Sequence, residues 1–357
     1  MSSLPTTYIA TAGRGHRRLL IQTGPGAFDL YIDNTTLESM LTCPRKFEHY
    51  AVYGRDSAEV DARNYGSAMH TALETFYLAD DQEAPEVLDA MQDRIMQYFA
   101  LHPCSANGWR HADHALEACR RYFNWRKQCP PWIPVVHQGK KMVEIPFKHF
   151  LLQWVNPTPH GQYIEYPENL VVAATLGTHP VQVYKINVYW TGVIDLVIDK
   201  TGDRWPVDHK TTSVEGALFY DSFRLSSQLM GYAWATQKTL GCKVPGAVVD
   251  ALIGRAPTKT GVSHENKSFP VEFTQEQLDD WEADTKDHVR TLIRRLFDGF
   301  FPKQTPWCIE KYGKCPYHDV CTMSHASQPL ILMSGQYAER TWDPLNKEKL
   351  PALPVPA

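Results

Sequence analysis

The sequence predicts an α/β chain: a mixed central sheet flanked by helices, with an N-terminal helical insertion and a C-terminal cysteine-rich segment. Three observations predict it. Helix-periodic stretches fill most of the region before Cys129. Short runs rich in Val, Ile and Tyr take over from Met142 to Thr211. From Ser226 the order is helix, strands, helix. Helices, then sheet, then mixed elements is the signature of an α/β core carrying an insertion.

Composition sets the outer limits. The 357 residues are 43% hydrophobic and 21% charged, enough for one large domain or two modest ones. No apolar run is long enough to cross a bilayer. Residues 1–10 lack the basic start and apolar core of a signal peptide. The expectation is a soluble, cytoplasmic protein with no membrane partner. A net charge of -4 excludes a globally basic nucleic-acid binder, though a local groove can still supply a positive field.

Residues 1–34 read as an N-terminal arm or edge strand, through Tyr8-Ile9-Ala10 and Leu19-Leu20-Ile21. Residues 35–135 read as the helical region. Thr35 and Glu38 have the capping-box spacing and open a helix towards Cys43-Pro44, where Pro44 kinks it or starts another. In the helix 64–78, Met69, Leu73, Phe76 and Tyr77 share an apolar face, and His70 and Glu74 stack one turn apart. Helices over 84–100 and 111–128 follow, ended by Pro130-Pro131 and Pro134.

Residues 136–300 read as the core. Strands are expected at Met142–Phe147, Leu170–Ala174, Val181–Tyr189, Gly192–Asp199 and Trp205–Thr211. A helix over Ser226–Leu240 stops at Gly241, and strands at Val244–Ile253 and Ser268–Phe273 follow. Thr274 with Gln277 forms a second capping box, opening an amphipathic helix to about Phe297. Residues 301–332 form the cysteine-rich segment and 333–357 a flexible tail.

The chemistry gathers at Gly192–Thr212. Asp195 lies inside Val193-Ile194-Asp195-Leu196-Val197-Ile198, and a lone acid in so apolar a run needs a partner. Asp208 and Lys210 are two apart on the next strand and point the same way. Mg²⁺ or Mn²⁺ takes one or two carboxylates plus substrate phosphate. Two acids with a lysine therefore suit a metal site that acts on a phosphate. His70 is a candidate imidazole ligand. Glu74 and Glu144 read equally as ligands or as ordinary polar positions.

The series Gly66-x3-His70, Gly192-x2-Asp195, Asp208-x-Lys210-Thr211 and Gln228-x3-Tyr232 resembles the RecB-type branch of the PD-(D/E)XK nuclease superfamily. The resemblance spans about Leu37 to Cys321 and implies a restriction-endonuclease-like core. It implies that His70, Asp195, Asp208 and the main-chain carbonyl of His209 hold the metal. Asp195, Asp208 and Lys210 would be catalytic, and Gln228 and Tyr232 would contact DNA or support the site. Position 209 is more often Tyr or Phe in the family. Alternation turns the His209 side chain away from the metal.

Of the 8 cysteines, three crowd at Cys308-x6-Cys315-x5-Cys321, which points to metal rather than disulfides in a reducing compartment. With Cys43 as the fourth thiolate, the pattern resembles the iron–sulfur nucleases of the same branch, AddB-like and CRISPR-adaptation exonucleases. That implies a [4Fe–4S] cluster on Cys43, Cys308, Cys315 and Cys321, stapling the first helix to the C-terminal segment; Zn²⁺ on four cysteines is the alternative. Cys104, Cys119, Cys129 and Cys242 read as ordinary thiols, with a second site at His111 and His114 disfavoured. Arg45 and Lys46, and Arg120, Arg121, Arg126 and Lys127 with Phe123 and Trp125, give a modest single-strand-binding signal.

The resulting expectation is a metal-dependent DNA exonuclease acting on single strands or ends, in recombination, repair or CRISPR adaptation. Without a helicase motif, unwinding would fall to a helicase or to a recombination or integration partner. A DNA-binding or assembly module with a vestigial nuclease site is the alternative.

Overall fold

A computed structural model describes residues 9–10, 19–24, 27–57, 61–104, 108–155, 175–176, 179–180, 185–256, 263–310, 313–324 and 326–339. The expected strand at Leu170–Ala174 and most of the tail lie outside these. The main elements are β1 (Leu20–Gly24), β2 (Ala27–Ile32), α1 (Asn34–Thr42), α2 (Asp61–Leu78), α3 (Pro85–Leu101), α4 (Ala112–Arg126), β3 (Val143–Val155), β4 (Lys185–Lys200), β5 (Asp203–Thr212), α5 (Ser227–Leu240), β6 (Gly246–Gly254), β7 (His264–Glu272) and α6 (Gln275–Asp298).

The chain divides into two compact units, each assembled from separated segments. One comprises residues 1–58, 148–192 and 282–345, and the other 59–147, 193–281 and 346–357. Two elements differ in extent from the sequence reading. The expected strands Val181–Tyr189 and Gly192–Asp199, as far as they are described, are one strand, β4, which runs without a break from Lys185 to Lys200 through Trp190, Thr191 and Gly192. β3 continues to Val155, well past Phe147, through Leu151, Leu152 and Trp154.

In the first unit Ile9–Ala10 runs parallel to β1, β1 pairs antiparallel with β2, and β2 runs parallel to β4 from Lys185 to Trp190. The cap of α1 is Asp33, not Thr35: the Asp33 carboxylate accepts the Thr36 amide at 2.7 Å. Asp33 takes the helix N-terminus two residues earlier, and its negative charge suits the positive end of the helix. Pro44 starts a new four-residue turn, Pro44–Phe47, which passes into a π-helical turn over Glu48–Val52.

In the second unit β4 pairs antiparallel with β5, β5 runs parallel to β6, and β6 pairs antiparallel with β7. Helices pack on both faces of this mixed sheet. Met69, Leu73 and Phe76 of α2, Met91 and Ile95 of α3, and Tyr122 and Phe123 of α4 bury against Leu196, Ile198, Val207, Val248 and Leu252. Alternation along β5 puts Val207 and His209 on this side and sends Asp208 and Lys210 towards α5. A Cβ at Gly66 would meet the Thr211 hydroxyl at 3.1 Å, so glycine lets α2 lie close against β5. Gly241 stops α5 with φ 65°. Thr274 and Gln277 exchange the two hydrogen bonds of a capping box, at 2.9 and 3.2 Å.

Candidate metal and nuclease site

Four elements of the second unit bring the site together. α2 supplies His70, β3 Glu144, β4 Asp195, and β5 Asp208 and Lys210. His70 Nδ1 lies 3.3 Å from an Asp195 oxygen and 3.6 Å from a Glu144 oxygen. One ligating atom from each of these three residues falls within 4.8 Å of the others, and no other such set occurs among the described residues. Glu144, which the sequence left undecided, therefore joins His70 and Asp195. Glu74 and Asp208 are not in that set. Among the described residues, Glu144 is also one of three non-glycine residues with positive φ, at 50°, inside an otherwise extended strand.

Asp208 sits beside this set, buried, with its carboxylate on the Lys210 ammonium at 2.8 Å. Burial raises the Asp208 pKa above the ordinary aspartate value, Lys210 opposes that, and the Asp195 charge adds to it. Lys210 also donates to the Gln228 carbonyl oxygen at 2.8 Å, and the Gln228 amide donates to the Tyr232 hydroxyl at 3.0 Å. Gln228 and Tyr232 lie one turn apart on α5, so one helix face presents both. Burial, then Asp195 and Asp208, push the Tyr232 hydroxyl far above its ordinary range, which keeps it protonated. Lys210, Gln228 and Tyr232 thus form a hydrogen-bonded chain along one side of the acids.

The donor set fits a divalent cation. Three carboxylates, Glu144, Asp195 and Asp208, crowd with one lysine and one imidazole, and like charges held this close favour a bound cation. The His209 ring turns the other way: its Nδ1 is 2.8 Å from an Asp250 oxygen, while its main-chain N–H donates to Asp195 at 2.9 Å.

The first unit gathers the other four expected ligands. Cys43 is buried, and Cys308, Cys315 and Cys321 are partly buried. The Gln304 amide approaches Cys43 Sγ at 3.5 Å, the Cys315 amide donates to the Cys308 carbonyl at 2.9 Å, and His49 Nε2 lies 3.8 Å from Cys321 Sγ. Burial first, with Cys315, Cys43 and Cys308 adding and Lys303 opposing, pushes the Cys321 thiol up to about 11. The four thiols lie in one unit with no disulfide among them and feel one another's charge, but no three of their sulfurs come within 4.8 Å of one another.

The basic helix reads differently in the fold. Arg120 and Arg121 both pair with Glu117, at 2.7 and 2.6 Å. Arg126 is buried, donates to the Pro130 carbonyl at 2.9 Å and lies 4.1 Å over the Trp132 ring. Lys127 covers Phe123, itself a core residue. Arg120 and Arg121 thus remain about half exposed beside Glu117, whereas Arg126 and Lys127 pack on aromatic rings. Arg45 is likewise buried, paired with Glu48 at 2.5 Å. His111 and His114 are joined by His264 from β7, with ring centroids 4.5 and 6.4 Å apart along the row, without bringing three ligating atoms together.

The family model for the PD-(D/E)XK nuclease superfamily matches residues 34–322. Among solved structures the chain is similar to one from Eubacterium rectale described as a candidate exonuclease, with 11% identity and a TM-score of 0.40, covering 85% of this chain and 93% of that one. No curated protein matches the chain.

Proposed function

The chain belongs to the PD-(D/E)XK nuclease superfamily, and from that premise we propose that it is a metal-dependent deoxyribonuclease. In this reading it is an exonuclease of the RecB-like, AddB-like branch, acting on single strands or DNA ends in recombination, repair or CRISPR adaptation. The observation that carries the reading is the meeting of His70, Glu144 and Asp195 beside the Asp208–Lys210 pair. His70, Glu144, Asp195 and Asp208 would hold Mg²⁺ or Mn²⁺, with the His209 carbonyl as the main-chain ligand. When bound, the ion supplies Lewis-acid polarisation of the scissile phosphate and a more acidic water.

The protein groups divide the remaining work. Lys210 places its ammonium where negative charge builds on the phosphate, and Gln228 holds that ammonium in place. Tyr232, kept protonated, offers a hydroxyl donor at the edge of the acids. Glu144, Asp195 and Asp208 repel the substrate phosphate until the cation is present, which makes the reaction strictly metal-dependent. Cys43, Cys308, Cys315 and Cys321 would hold a [4Fe–4S] cluster that ties the turn after α1 to the C-terminal segment.

The test is digestion of end-labelled single- and double-stranded DNA with Mg²⁺ or Mn²⁺ by the wild type, Asp208→Ala and Lys210→Ala. The reading expects metal-dependent release of nucleotides from an end by the wild type alone. Equal digestion by all three proteins, or binding without cleavage in every metal, sinks it. An anaerobic absorbance spectrum separates a brown cluster protein, absorbing near ~400 nm, from a colourless Zn²⁺ site.

A further inference from the structure

Asp250 is fully buried on β6 and is not itself among the groups assigned to the reaction. Its Oδ2 accepts the Tyr122 hydroxyl at 2.7 Å and lies 2.8 Å from His209 Nδ1. The Tyr77 and Tyr122 hydroxyls are 2.6 Å apart, and the Tyr77 ring stacks on His209 at 5.6 Å. Asp250 and His209 are register partners on the parallel pair β5–β6. Position 209 is thus gripped from one face by the carboxylate of its strand neighbour Asp250 and by the stacked Tyr77 ring. On its other side the same residue's N–H donates to Asp195 Oδ2 at 2.9 Å, while Asp195 Oδ1 faces His70.

A buried carboxylate is costly unless it is hydrogen-bonded, and packing alone is served better by an apolar residue of similar size. An isolated acid in Val248-Val249-Asp250-Ala251-Leu252 therefore calls for a reason beyond packing. What Asp250 reaches through His209 is the orientation of one peptide group, and that peptide fixes the Asp195 carboxylate. We propose that Asp250 is a positioning residue for the metal centre: by anchoring the His209 imidazole it fixes the peptide that orients Asp195. Groups one layer behind metal ligands act in this way, and their loss typically costs about 10–100-fold in metal affinity. The proposal rests on the metal-site reading above and adds to it a residue on the neighbouring strand that acts through His209.

The test is Mn²⁺ binding to the full-length purified chain, read from loss of the free-ion resonance signal, with thermal melting recorded for each variant. The set is wild type, Asp195→Ala, Asp250→Ala, His209→Phe, the Asp250→Ala/His209→Phe double variant and Tyr122→Phe. We expect Asp250→Ala and His209→Phe each to weaken Mn²⁺ about 10–100-fold. The double variant should bind no more weakly than the weaker single variant, because both act through one route. Tyr122→Phe removes a hydrogen bond to Asp250 without releasing His209, so it should lower the melting temperature and leave Mn²⁺ affinity unchanged. Wild-type affinity in Asp250→Ala overturns the proposal. So does a double variant that loses the product of the two single effects, or a Tyr122→Phe loss as large as that of Asp250→Ala. If the wild type and Asp195→Ala bind Mn²⁺ alike, it is the metal-site reading that fails, and the comparison of the first two proteins shows this separately.

Discussion

Glu144 offers the sharpest perturbation, because it combines a proposed ligand with a strained backbone. Its φ of 50° places an L-residue in the left-handed region, at roughly 1–2 kcal/mol. Glycine adopts that conformation freely but gives up about 0.5–1 kcal/mol of chain entropy on folding. The net advantage of Glu144→Gly over Glu144→Ala is therefore about 0.5–1 kcal/mol, since both remove the same carboxylate and only the backbone preference differs. In a chain of this size that is a melting difference of about 2 °C at most. Both variants lose the oxygen that faces His70 at 3.6 Å. Both should need about 10-fold or more Mn²⁺ for half-maximal cleavage, at least the penalty of losing a group behind the ligands. Calorimetry without metal and a metal titration of cleavage read the two effects independently. Glycine and alanine variants that melt together would refute the strain argument. Wild-type metal dependence in either would remove Glu144 from the centre.

Three further predictions follow from the same geometry. Lys210→Met should cut turnover by about 10²–10³-fold, the scale of losing one preorganised charge donor, with little change in Mn²⁺ affinity measured by resonance. Arg126→Ala removes a buried carbonyl hydrogen bond and a stack on Trp132, so it should destabilise by about 2–4 kcal/mol in denaturant titrations while leaving DNA affinity unchanged. His264 is held near pKa about 4 by burial, below its ordinary 6.5. A depressed histidine binds its proton more readily in the unfolded chain, so its contribution is complete above pH ~6.5 and is lost as pH falls towards ~4. His264→Gln should flatten that acid limb by about 1 kcal/mol after allowing for partial solvent access, seen as melting temperature against pH.

Much of the site was legible because strand alternation and apolar context are local signals. Asp195 stands out as an acid among Val, Ile and Leu, and Asp208 and Lys210 fall on one face by counting alone. Glu144 was harder to read: its neighbours Val143 and Ile145 are consistent with any strand, and the unusual backbone that aims it has no glycine or asparagine to advertise it. Asp250 carried the same signal as Asp195 and was passed over because no motif surrounded it. The basic helix shows a different limit. Charges spaced along a helix say nothing about Glu117 reaching back to Arg120 and Arg121, or about Trp132 covering Arg126. Joining of the two expected strands into β4 depends on pairing with β2, which is distant in sequence, as well as with β5 across the Thr201-Gly202 turn. The assembly of each unit from three separated segments is likewise a long-range property.

The central claim is that one divalent cation sits on His70, Glu144 and Asp195. Anomalous scattering from a crystal soaked in Mn²⁺ tests it directly. The account predicts a peak within bonding distance of all three side chains, absent in Asp195→Ala crystals soaked in the same way. A peak that lies away from all three side chains and persists in Asp195→Ala would contradict it.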